Sequence, residues 1–383
     1  MKILSLFDGM ACGMLAMMDA GVNVDRYVAF EIDKYAVQTS SHNFPTIEHR
    51  GDVFEADFTE FRGFDFLIGG SPCTYWSIAQ KNNRETEASG MGWELFSQYV
   101  RALHEAQPMC FIYENNKSMS KAIRASIDEA FGFEAVCINS SLVSAQNRQR
   151  LYWVGKRNED GTYSKVDINW PEDRGIVLKD ILDGAGYRIP SYGEEGKSRP
   201  VTYSYAQQGP GQVDKNCFPK NPNKQKYDYV AEPVRIPEYG YGTKSRPLSA
   251  SYSHKGCGEG SLAFDCFHEN PNKQVFDYVA EPVAIAVEFD GNVPTMAISI
   301  VTGKTYSVFE IRNGHITIKG NLYSVNLADG YYIIRKLTIN ECKRLQTVPE
   351  WYEFIVSDTQ AYKMLGNGWT VLVISHLIKS SLV

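Results

Sequence analysis

Apolar runs of strand length alternate with helical periodicity along the first 155 residues. The runs are residues 2–7, 26–30, 64–68, 109–113 and 151–155. Residues 14–19, 94–105 and 123–131 have the apolar spacing of helices. Runs that are apolar throughout are typical of strands buried on both faces. The pattern therefore predicts an α/β fold with a largely parallel sheet.

The pattern changes after Trp170-Pro171, where the chain becomes rich in Tyr, Gly, Pro and Asn. Residues 298–333 alternate β-branched and polar positions, interrupted by Asn-Gly and Asp-Gly pairs, which predicts short antiparallel hairpins. Helical spacing returns at 338–346, where Thr338 and Glu341 form a capping-box pattern, and again at 371–378. We predict a first domain of residues 1–170, a smaller and mainly β domain of residues 171–334, and a segment of residues 335–383 that completes the first.

The predicted smaller domain contains a duplication. Residues 197–200, Lys-Ser-Arg-Pro, recur at 244–247, residues 221–225 recur at 270–274, and residues 228–234 recur at 277–283. Two copies are too few for a solenoid, so we interpret them as a duplicated supersecondary unit.

Charge is distributed unevenly. The net charge is −6, but residues 188–255 contain eleven Lys and Arg against six Asp and Glu. A basic segment in an acidic protein is a candidate surface for phosphates, although a solvated lobe would explain the charges as well. The eight cysteines include no Cys-x-x-Cys pair, so we expect reduced thiols and no metal site. No apolar stretch has the length of a signal peptide or a membrane span, and we expect a soluble cytoplasmic protein.

Polar residues follow the first strands in an order that is typical of a nucleotide cofactor site. A glycine loop at residues 8–13 precedes a helix, Glu31 ends the second strand, and Asp52 follows a further turn. Glycines let the backbone approach a ligand at a helix N-terminus, and an acid after the second strand suits ribose hydroxyls. Asp52 would suit an adenine amino group. The loop lacks the dinucleotide spacing, so this trio indicates an adenosyl group rather than a nicotinamide cofactor.

A cysteine and a carboxylate follow the next two strands. Gly69-Gly70-Ser71-Pro72-Cys73 comes after the run at 64–68, and Glu114 comes directly after the run at 109–113. Parallel strands end at one edge of the sheet, so we expect Cys73 as a nucleophile with Glu114 beside it. Arg148 and Arg150 alternate before the next strand, so both would point to one face of it.

These motifs, in this order, resemble those of the 5-cytosine DNA methyltransferases. The resemblance rests on residues 7–13, Glu31, Asp52, 69–73, Glu114-Asn115, Gln146-x-Arg148-x-Arg150, 337–346 and Gly366-Asn367. The Gly-Ser-Pro-Cys form is similar to animal de novo members, and residues 362–370 are similar to bacterial and phage members. We therefore expect a bacterial or phage enzyme. The sequence departs from the family at Asn116, where valine is usual, and at Thr74-Tyr75-Trp76.

The resemblance implies a Rossmann-like domain that binds S-adenosylmethionine, a target recognition domain at 171–334, and double-stranded DNA as substrate. Cys73 would add to a flipped-out cytosine, Glu114 would hold its ring N3, and Arg148 and Arg150 would orient the base and phosphate. The implied cofactor residues are Phe7, Asp8, Gly9, Met10, Cys12, Gly13, Glu31, Ile32, Asp52, Val53, Pro72, Asn367, Gly368 and Trp369.

The resemblance also leads to expectations about partners. Arg199 and Arg246, one in each copy of the duplicated Lys-Ser-Arg-Pro, are the candidate DNA-binding residues. A restriction endonuclease of the same system would be a partner in the cytoplasm of a bacterium or a phage-infected host.

Two alternatives stay open from the sequence. One is a tRNA cytosine-5 methyltransferase, because a basic segment also suits RNA. The other is an inactive relative that only binds DNA. The presence of Cys73, Glu114, Arg148 and Arg150 argues against the second.

Overall fold

A computed structural model describes residues 1–77, 84–183, 187–189, 229–235, 284–318, 320–324 and 327–383. The described chain forms two compact units. The first contains residues 1–176 and 342–383, and the second contains the described residues between 177 and 341. The domain limits that we predict at 170 and 335 remain predictions. In the described ranges, no helix is both long and apolar enough to cross a bilayer.

An eight-stranded sheet forms the centre of the first unit. Its strands are β1 Lys2–Leu6, β2 Arg26–Phe30, β3 Glu48–His49, β4 Phe66–Gly69, β5 Cys110–Asn116, β6 Val136–Asn139, β7 Gln149–Arg157 and β8 Tyr163–Lys165. The order is β3-β2-β1-β4-β5-β7-β6, with β8 on β7. β1 to β5 are parallel, and β7 runs antiparallel to both β5 and β6. The predicted α/β fold is thus confirmed.

Helices connect these strands and complete the unit. They are α1 Cys12–Asp19, α2 Lys34–Asn43, α3 Gly90–Ala106, α4 Lys121–Phe131, α6 Asp358–Asn367 and α7 Val371–Ser381, together with most of α5 Ile339–Leu345, whose first three residues belong to the second unit. Local sequence explains the limits of α4: the Ser120 side chain accepts from the amide of Ile123, and Gly132 adopts φ +79° after the last turn.

An aromatic core fixes α3 and α4 against the sheet. Phe96, Tyr99, Phe111 and Phe131 pack edge to face or tilted, with centroid distances of 4.9 to 6.5 Å. The Tyr99 hydroxyl also lies within hydrogen-bonding distance of the carbonyls of β4 and β5, at Leu67 and Ile112. Each such ring contributes about 1.5–3 kcal/mol by leaving water. The core therefore fixes α3 against β4 and β5.

The second unit is mainly β. Its strands are β9 Tyr187–Ile189, β10 Tyr229–Arg235, β11 Ala284–Asp290, β12 Val293–Ser299, β13 Thr305–Arg312, β14 His315–Ile318, β15 Asn321–Ser324 and β16 Gly330–Lys336. Pairing runs β12-β11-β10-β16-β13, and β12 also pairs with β13, so these five strands close on themselves. Asn313 and Gly314, both with positive φ, make the tight turn between β13 and β14. The predicted antiparallel hairpins are confirmed.

A buried ion cluster lies in the second unit. Arg335 donates two bonds of 2.8 Å to Glu341 and a further bond to Glu232, and all three side chains are at most 1% exposed. Glu341 also accepts from the Thr338 amide, while the Thr338 hydroxyl accepts from the Glu341 amide. The predicted capping box at the start of α5 is therefore present, with a buried arginine as an additional partner.

Candidate functional site

The register of the parallel strands aligns the predicted site residues in one row. Leu6 pairs with both Phe30 and Gly69, and Gly69 pairs with Tyr113. The residues that follow in the chain are Phe7, Glu31, Gly70 and Glu114. They lie side by side at the carboxyl edge of the sheet, where open α/β sheets bind ligands.

A cavity of about 220 Å³ opens at this edge. Fourteen predicted residues line it: Phe7, Asp8, Gly9, Met10, Cys12, Glu31, Pro72, Cys73, Glu114, Arg148, Arg150, Asn367, Gly368 and Trp369. The candidate nucleophile, the candidate carboxylate and most candidate cofactor residues thus share one space.

The turn that carries Cys73 closely approaches the strand that carries Glu114. A Cβ atom on Gly70 would lie 2.8 Å from the Glu114 carbonyl oxygen, so only glycine fits there. The Asn115 side-chain amide donates to the Ser71 carbonyl at 3.2 Å, which ties the turn to β5. Cys73 then begins a single turn of 3₁₀ helix, and its free thiol is partly exposed. This position suits a nucleophile that must reach a substrate.

Glu114 lies inside β5, which extends three residues beyond the predicted strand end. Its side chain is only 11% exposed. One oxygen pairs with the Nε of Arg150 at 2.9 Å, and the other accepts from the indole Nε1 of Trp369 at 3.0 Å. Two donors on opposite oxygens hold the carboxylate in one orientation beside the cavity.

Arg148 binds the backbone of the C-terminal segment. Its guanidinium donates to the carbonyls of Gly366 at 3.1 Å and Gly368 at 2.9 Å, and the residue as a whole is 4% exposed. Burial, together with the neighbouring positive charge of Arg150, lowers the pKa of Arg148 to about 10. The sequence pattern did not reveal these carbonyl partners. Because Arg148 binds them, Arg150 is the arginine of the pair that contacts Glu114.

The glycine loop forms the cofactor side of the cavity. Phe7, Gly9 and Ala11 all adopt left-handed backbone angles, with φ between 57° and 61°. The Gly9 amide donates to Glu31 Oε2, and the amides of Ile32 and Asp33 donate to Glu31 Oε1. Three backbone donors therefore orient the Glu31 carboxylate at the end of β2.

Asp8 is buried in the same loop. Its Oδ1 accepts from the Ser5 and Tyr27 hydroxyls, both at 2.6 Å, while its Oδ2 has no hydrogen-bond partner among the described residues. Burial raises the pKa of Asp8 to about 6, against the effect of these two donors. An acceptor atom without a partner beside a cavity is suited to a ligand that carries hydrogen-bond donors.

The opposite wall comes from the end of the chain. α6 continues through Gly366 to Asn367, and the chain leaves the helix at Gly368. A Cβ atom on Gly368 would lie 3.1 Å from the Cys12 sulfur, a close approach across the cavity. Burial raises the pKa of Cys12 to about 12, which keeps it a neutral thiol.

Four predicted cofactor residues do not line the cavity. Gly13 packs under Tyr27 and Ile68, and Ile32 is 75% exposed. Asp52 accepts from the Phe54 amide at 3.0 Å and so caps a short helical turn, in which Val53 is buried. The duplicated motifs, Arg199 and Arg246 lie outside the described residues.

Seven further residues line the cavity and were not among the predicted site residues. They are Asp33, Ala36, Gly70, Ser71, Thr74, Lys363 and Met364. Asp33 pairs with Lys363 at 2.5 Å, although 330 positions separate them in the chain. Gly70 and Ser71 belong to the predicted Cys73 motif and could have been included on that basis. No local signal marks Lys363.

Comparison with known proteins identifies a family and similar folds. The model of the family described as C-5 cytosine-specific DNA methylase matches residues 1–382. The orphan methyltransferase M.SPRI of Bacillus phage SPR is 33% identical over 171 residues, which are 42% of this chain and 38% of that protein. The type II methyltransferase M.FnuDI of Fusobacterium nucleatum is 25% identical over 100% of this chain and 95% of its own length.

The match thus spans well under half of the length of the phage relative. Among solved structures, a mutant of Spodoptera frugiperda DNMT2 covers 100% of this chain and 99% of its own, with a TM-score of 0.55 and 15% identity. A methyltransferase of Entamoeba histolytica, EhMeth, covers 100% of this chain and 97% of its own, with a TM-score of 0.51 and 12% identity. These two likenesses concern the fold alone.

Proposed function

The chain belongs to the C-5 cytosine-specific DNA methylase family, and we propose that it transfers a methyl group from S-adenosylmethionine to carbon 5 of cytosine in double-stranded DNA. One observation carries the proposal. A single cavity is lined both by Cys73, Glu114 and Arg150 and by the glycine loop with Glu31. A thiol, a carboxylate and a cofactor loop are the groups that this reaction needs within reach of one another.

The chemistry assigns a covalent role to Cys73. Carbon 5 of cytosine is a poor nucleophile, so the Cys73 thiolate adds to carbon 6 and forms an S–C bond, which turns the ring into an enamine. Carbon 5 then takes the methyl group from S-adenosylmethionine, which leaves as S-adenosylhomocysteine. Transfer of the carbon 5 proton to solvent restores the double bond as the S–C bond breaks, and the Cys73 thiolate is regenerated.

Glu114 acts on the other side of the ring. We assign it to ring N3, where it shares a proton as the thiolate adds and so offsets the charge that develops on the base. The bonds from Arg150 and Trp369 hold this carboxylate in place while the base enters. Arg150 also contributes a positive charge beside the cavity, where the base and its phosphate would lie.

S-adenosylmethionine supplies the methyl group when it is bound. The residues present fit it: Glu31 has a fixed carboxylate for ribose hydroxyls, and Asp8 has an acceptor oxygen without a partner among the described residues. The wall formed by Asn367, Gly368 and Trp369 closes the same space. We retain Asp52 as a candidate for the adenine amino group through the oxygen that does not cap the Phe54 amide.

The substrate must leave the duplex to reach Cys73. Carbon 6 of a stacked cytosine is inaccessible, so the base is flipped out at a cost of about a few kcal/mol, offset by contacts inside the pocket. We expect this activity in the cytoplasm of a bacterium or a phage-infected host. The names of the relatives include both orphan and type II enzymes, so a cognate endonuclease remains a proposed partner.

Purified protein with labelled S-adenosylmethionine and mixed-sequence duplex DNA tests the proposal directly. We expect methylation, read by bisulfite sequencing, and a covalent adduct on duplex that contains 5-fluorocytosine. Cys73→Ala should lose both, because no other group forms the bond to carbon 6. Cys137→Ala is the matched control, since it removes another free and partly exposed thiol from β6.

Two results would contradict the proposal. Turnover retained by the Cys73→Ala variant would show that Cys73 is not the nucleophile. Methylation of structured RNA in place of duplex DNA would support the alternative substrate.

A further inference from the structure

Arg84 connects the backbone after the nucleophile to the backbone after the carboxylate. Its Nε donates to the carbonyl of Trp76 at 3.1 Å, and its Nη2 donates to the carbonyl of Ser118 at 2.6 Å. Trp76 lies three residues after Cys73, and Ser118 lies four residues after Glu114. A single planar group thus spans the two segments that bear the reacting side chains.

The residues next to Arg84 make the same connection. The Glu85 amide donates to the carbonyl of Tyr75 at 2.9 Å, and Glu85 Oε2 accepts from the indole of Trp76 at 3.0 Å. The Ser120 hydroxyl donates to the carbonyl of Thr86. We call residues 84–86 the brace, because they bind the Cys73 turn on one side and the segment after β5 on the other.

We propose that Arg84 is a positioning residue for methyl transfer: its two carbonyl bonds fix the Cys73 turn relative to Glu114. The inference rests on the proposed function. A guanidinium is planar and carries its donors in a rigid fork, so two carbonyls bound to it keep one separation. Its charge strengthens both bonds. Reaction at carbon 6 requires the thiol and the carboxylate to meet the same ring, and a shift of about 1 Å can reduce the rate about 100-fold.

Sequence position alone does not reveal this role. Arg84 follows Cys73 by eleven residues and does not line the cavity. It acts through backbone carbonyls rather than on the substrate. Its loss should therefore change kcat, not the affinity for S-adenosylmethionine.

The test compares Arg84→Ala and Arg84→Lys with Arg124→Ala. Arg124 lies on α4 and pairs only loosely with Asp128, at 3.6 Å, so its removal deletes the same charge without breaking a bond to the Cys73 turn. The measurements are kcat, KM for duplex DNA, the rate of adduct formation on 5-fluorocytosine duplex, calorimetric affinity for S-adenosylmethionine, and amide hydrogen exchange of residues 73–77.

For Arg84→Ala we expect kcat and the adduct rate to fall together about 10- to 100-fold. Cofactor affinity should stay within about twofold, because Trp76 and Ser118, whose carbonyls accept from Arg84, do not line the cavity. Exchange of residues 73–77 should become faster. Arg84→Lys should give values of kcat, adduct rate and exchange between those of the wild type and Arg84→Ala, since one ammonium group cannot reproduce the planar pair of guanidinium donors. Arg124→Ala should behave as wild type in all five measurements.

Wild-type kcat and exchange in Arg84→Ala would overturn the inference, as would a loss confined to cofactor affinity. If Arg84→Ala does not fold, Arg84→Lys decides, and full activity there would show that the fork is not needed. If the wild type itself methylates nothing, the proposed function fails. The exchange measurement still tests the brace in that case, because it does not depend on turnover.

Discussion

Single residues at the cavity have roles that depend on their surroundings rather than on their type. Cys12 and Cys73 both line the cavity, yet Cys12 is 3% exposed and Cys73 is partly exposed. Burial raises the pKa of Cys12 to about 12 because a thiolate there would lose its hydration. Two cysteines in one cavity are therefore chemically distinct.

Alkylation should separate these two cysteines. At pH 8 a thiol whose pKa is about 12 exists as thiolate in about one molecule in ten thousand. We expect iodoacetamide to modify Cys73 well before Cys12, as measured by mass spectrometry of the tryptic peptides under native conditions. Equal rates for the two would mean that Cys12 is solvated or ionised in solution.

Asp8 should make stability depend on pH. Its pKa is raised from 3.8 to about 6 in the folded protein, so the folded state binds this proton more tightly than the unfolded state does. Ionisation of Asp8 therefore lowers the free energy of unfolding. This loss is absent below about pH 4, grows between about pH 4 and 6, and reaches its full value of about 3 kcal/mol above about pH 6.

The variant Asp8→Asn isolates this contribution. Its side-chain oxygen can still accept from Ser5 and Tyr27, but it cannot ionise. We expect the free energy of unfolding of Asp8→Asn, relative to wild type, to increase between pH 4.5 and 7, measured by urea denaturation. A difference that stays constant with pH would show that Asp8 does not titrate with a raised pKa.

At the scale of elements, loops and helix ends are stabilised both by interactions with neighbouring residues in the chain and by contacts with distant segments. The left-handed φ angles of Phe7 and Ala11 cost about 1 kcal/mol each or more, and the surrounding sheet and α1 maintain them. Glu341 shows the same combination, since it completes a capping box with Thr338 and also holds the buried Arg335.

Loss of Glu341 should reduce the free energy of unfolding more than loss of Thr338 does. Thr338→Ala removes one cap and should cost about 1 kcal/mol of unfolding free energy. Glu341→Ala also leaves the Arg335 guanidinium without its two 2.8 Å bonds, and breaking such a buried pair costs about 3–5 kcal/mol. Denaturation of both variants measures the difference. Equal losses would mean that the buried pair adds nothing beyond the cap.

At the scale of the whole molecule, the proposed reaction needs a surface that recognises DNA beyond the flipped base. The duplicated Lys-Ser-Arg-Pro elements, which contain Arg199 and Arg246, remain our candidates for it. The target sequence would be set there, because the cavity residues can contact only one base and its phosphates.

Alanine variants of Arg199 and Arg246 test this candidate surface. A lost phosphate contact should weaken binding to all DNA sequences alike and reduce the slope of log K against log salt concentration by about one. A lost guanine contact should cost about 1–3 kcal/mol of binding free energy, and only on DNA that contains the recognition sequence. Salt titrations and methylation maps measure the two effects. Arg157→Ala is the control, since Arg157 lies at the end of β7, away from the carboxyl edge of the parallel strands. Results like those of the control would exclude both arginines from the DNA contact.

The sequence by itself indicated the main strands and helices of the first unit and the residue types of the candidate site, but it did not indicate α2, β3 or β8. Apolar runs report burial directly, and glycine loops and capping pairs follow local rules, so β1, β2, the Cys73 turn and the capping box at Thr338 could be predicted. Parallel strands end at a common edge, so even the meeting of Cys73 with Glu114 followed from local pattern.

Only the tertiary structure decided which groups bind each other across the chain. Arg148 holds carbonyls more than 200 positions away, Lys363 pairs with Asp33, and Gly70 is required because Glu114 passes close to it. Such contacts depend on the register and packing of segments that are distant in the chain. The identity of the neighbouring residues does not indicate that register or packing. Burial likewise arises from packing, and it is burial that separates the thiol of Cys12 from that of Cys73.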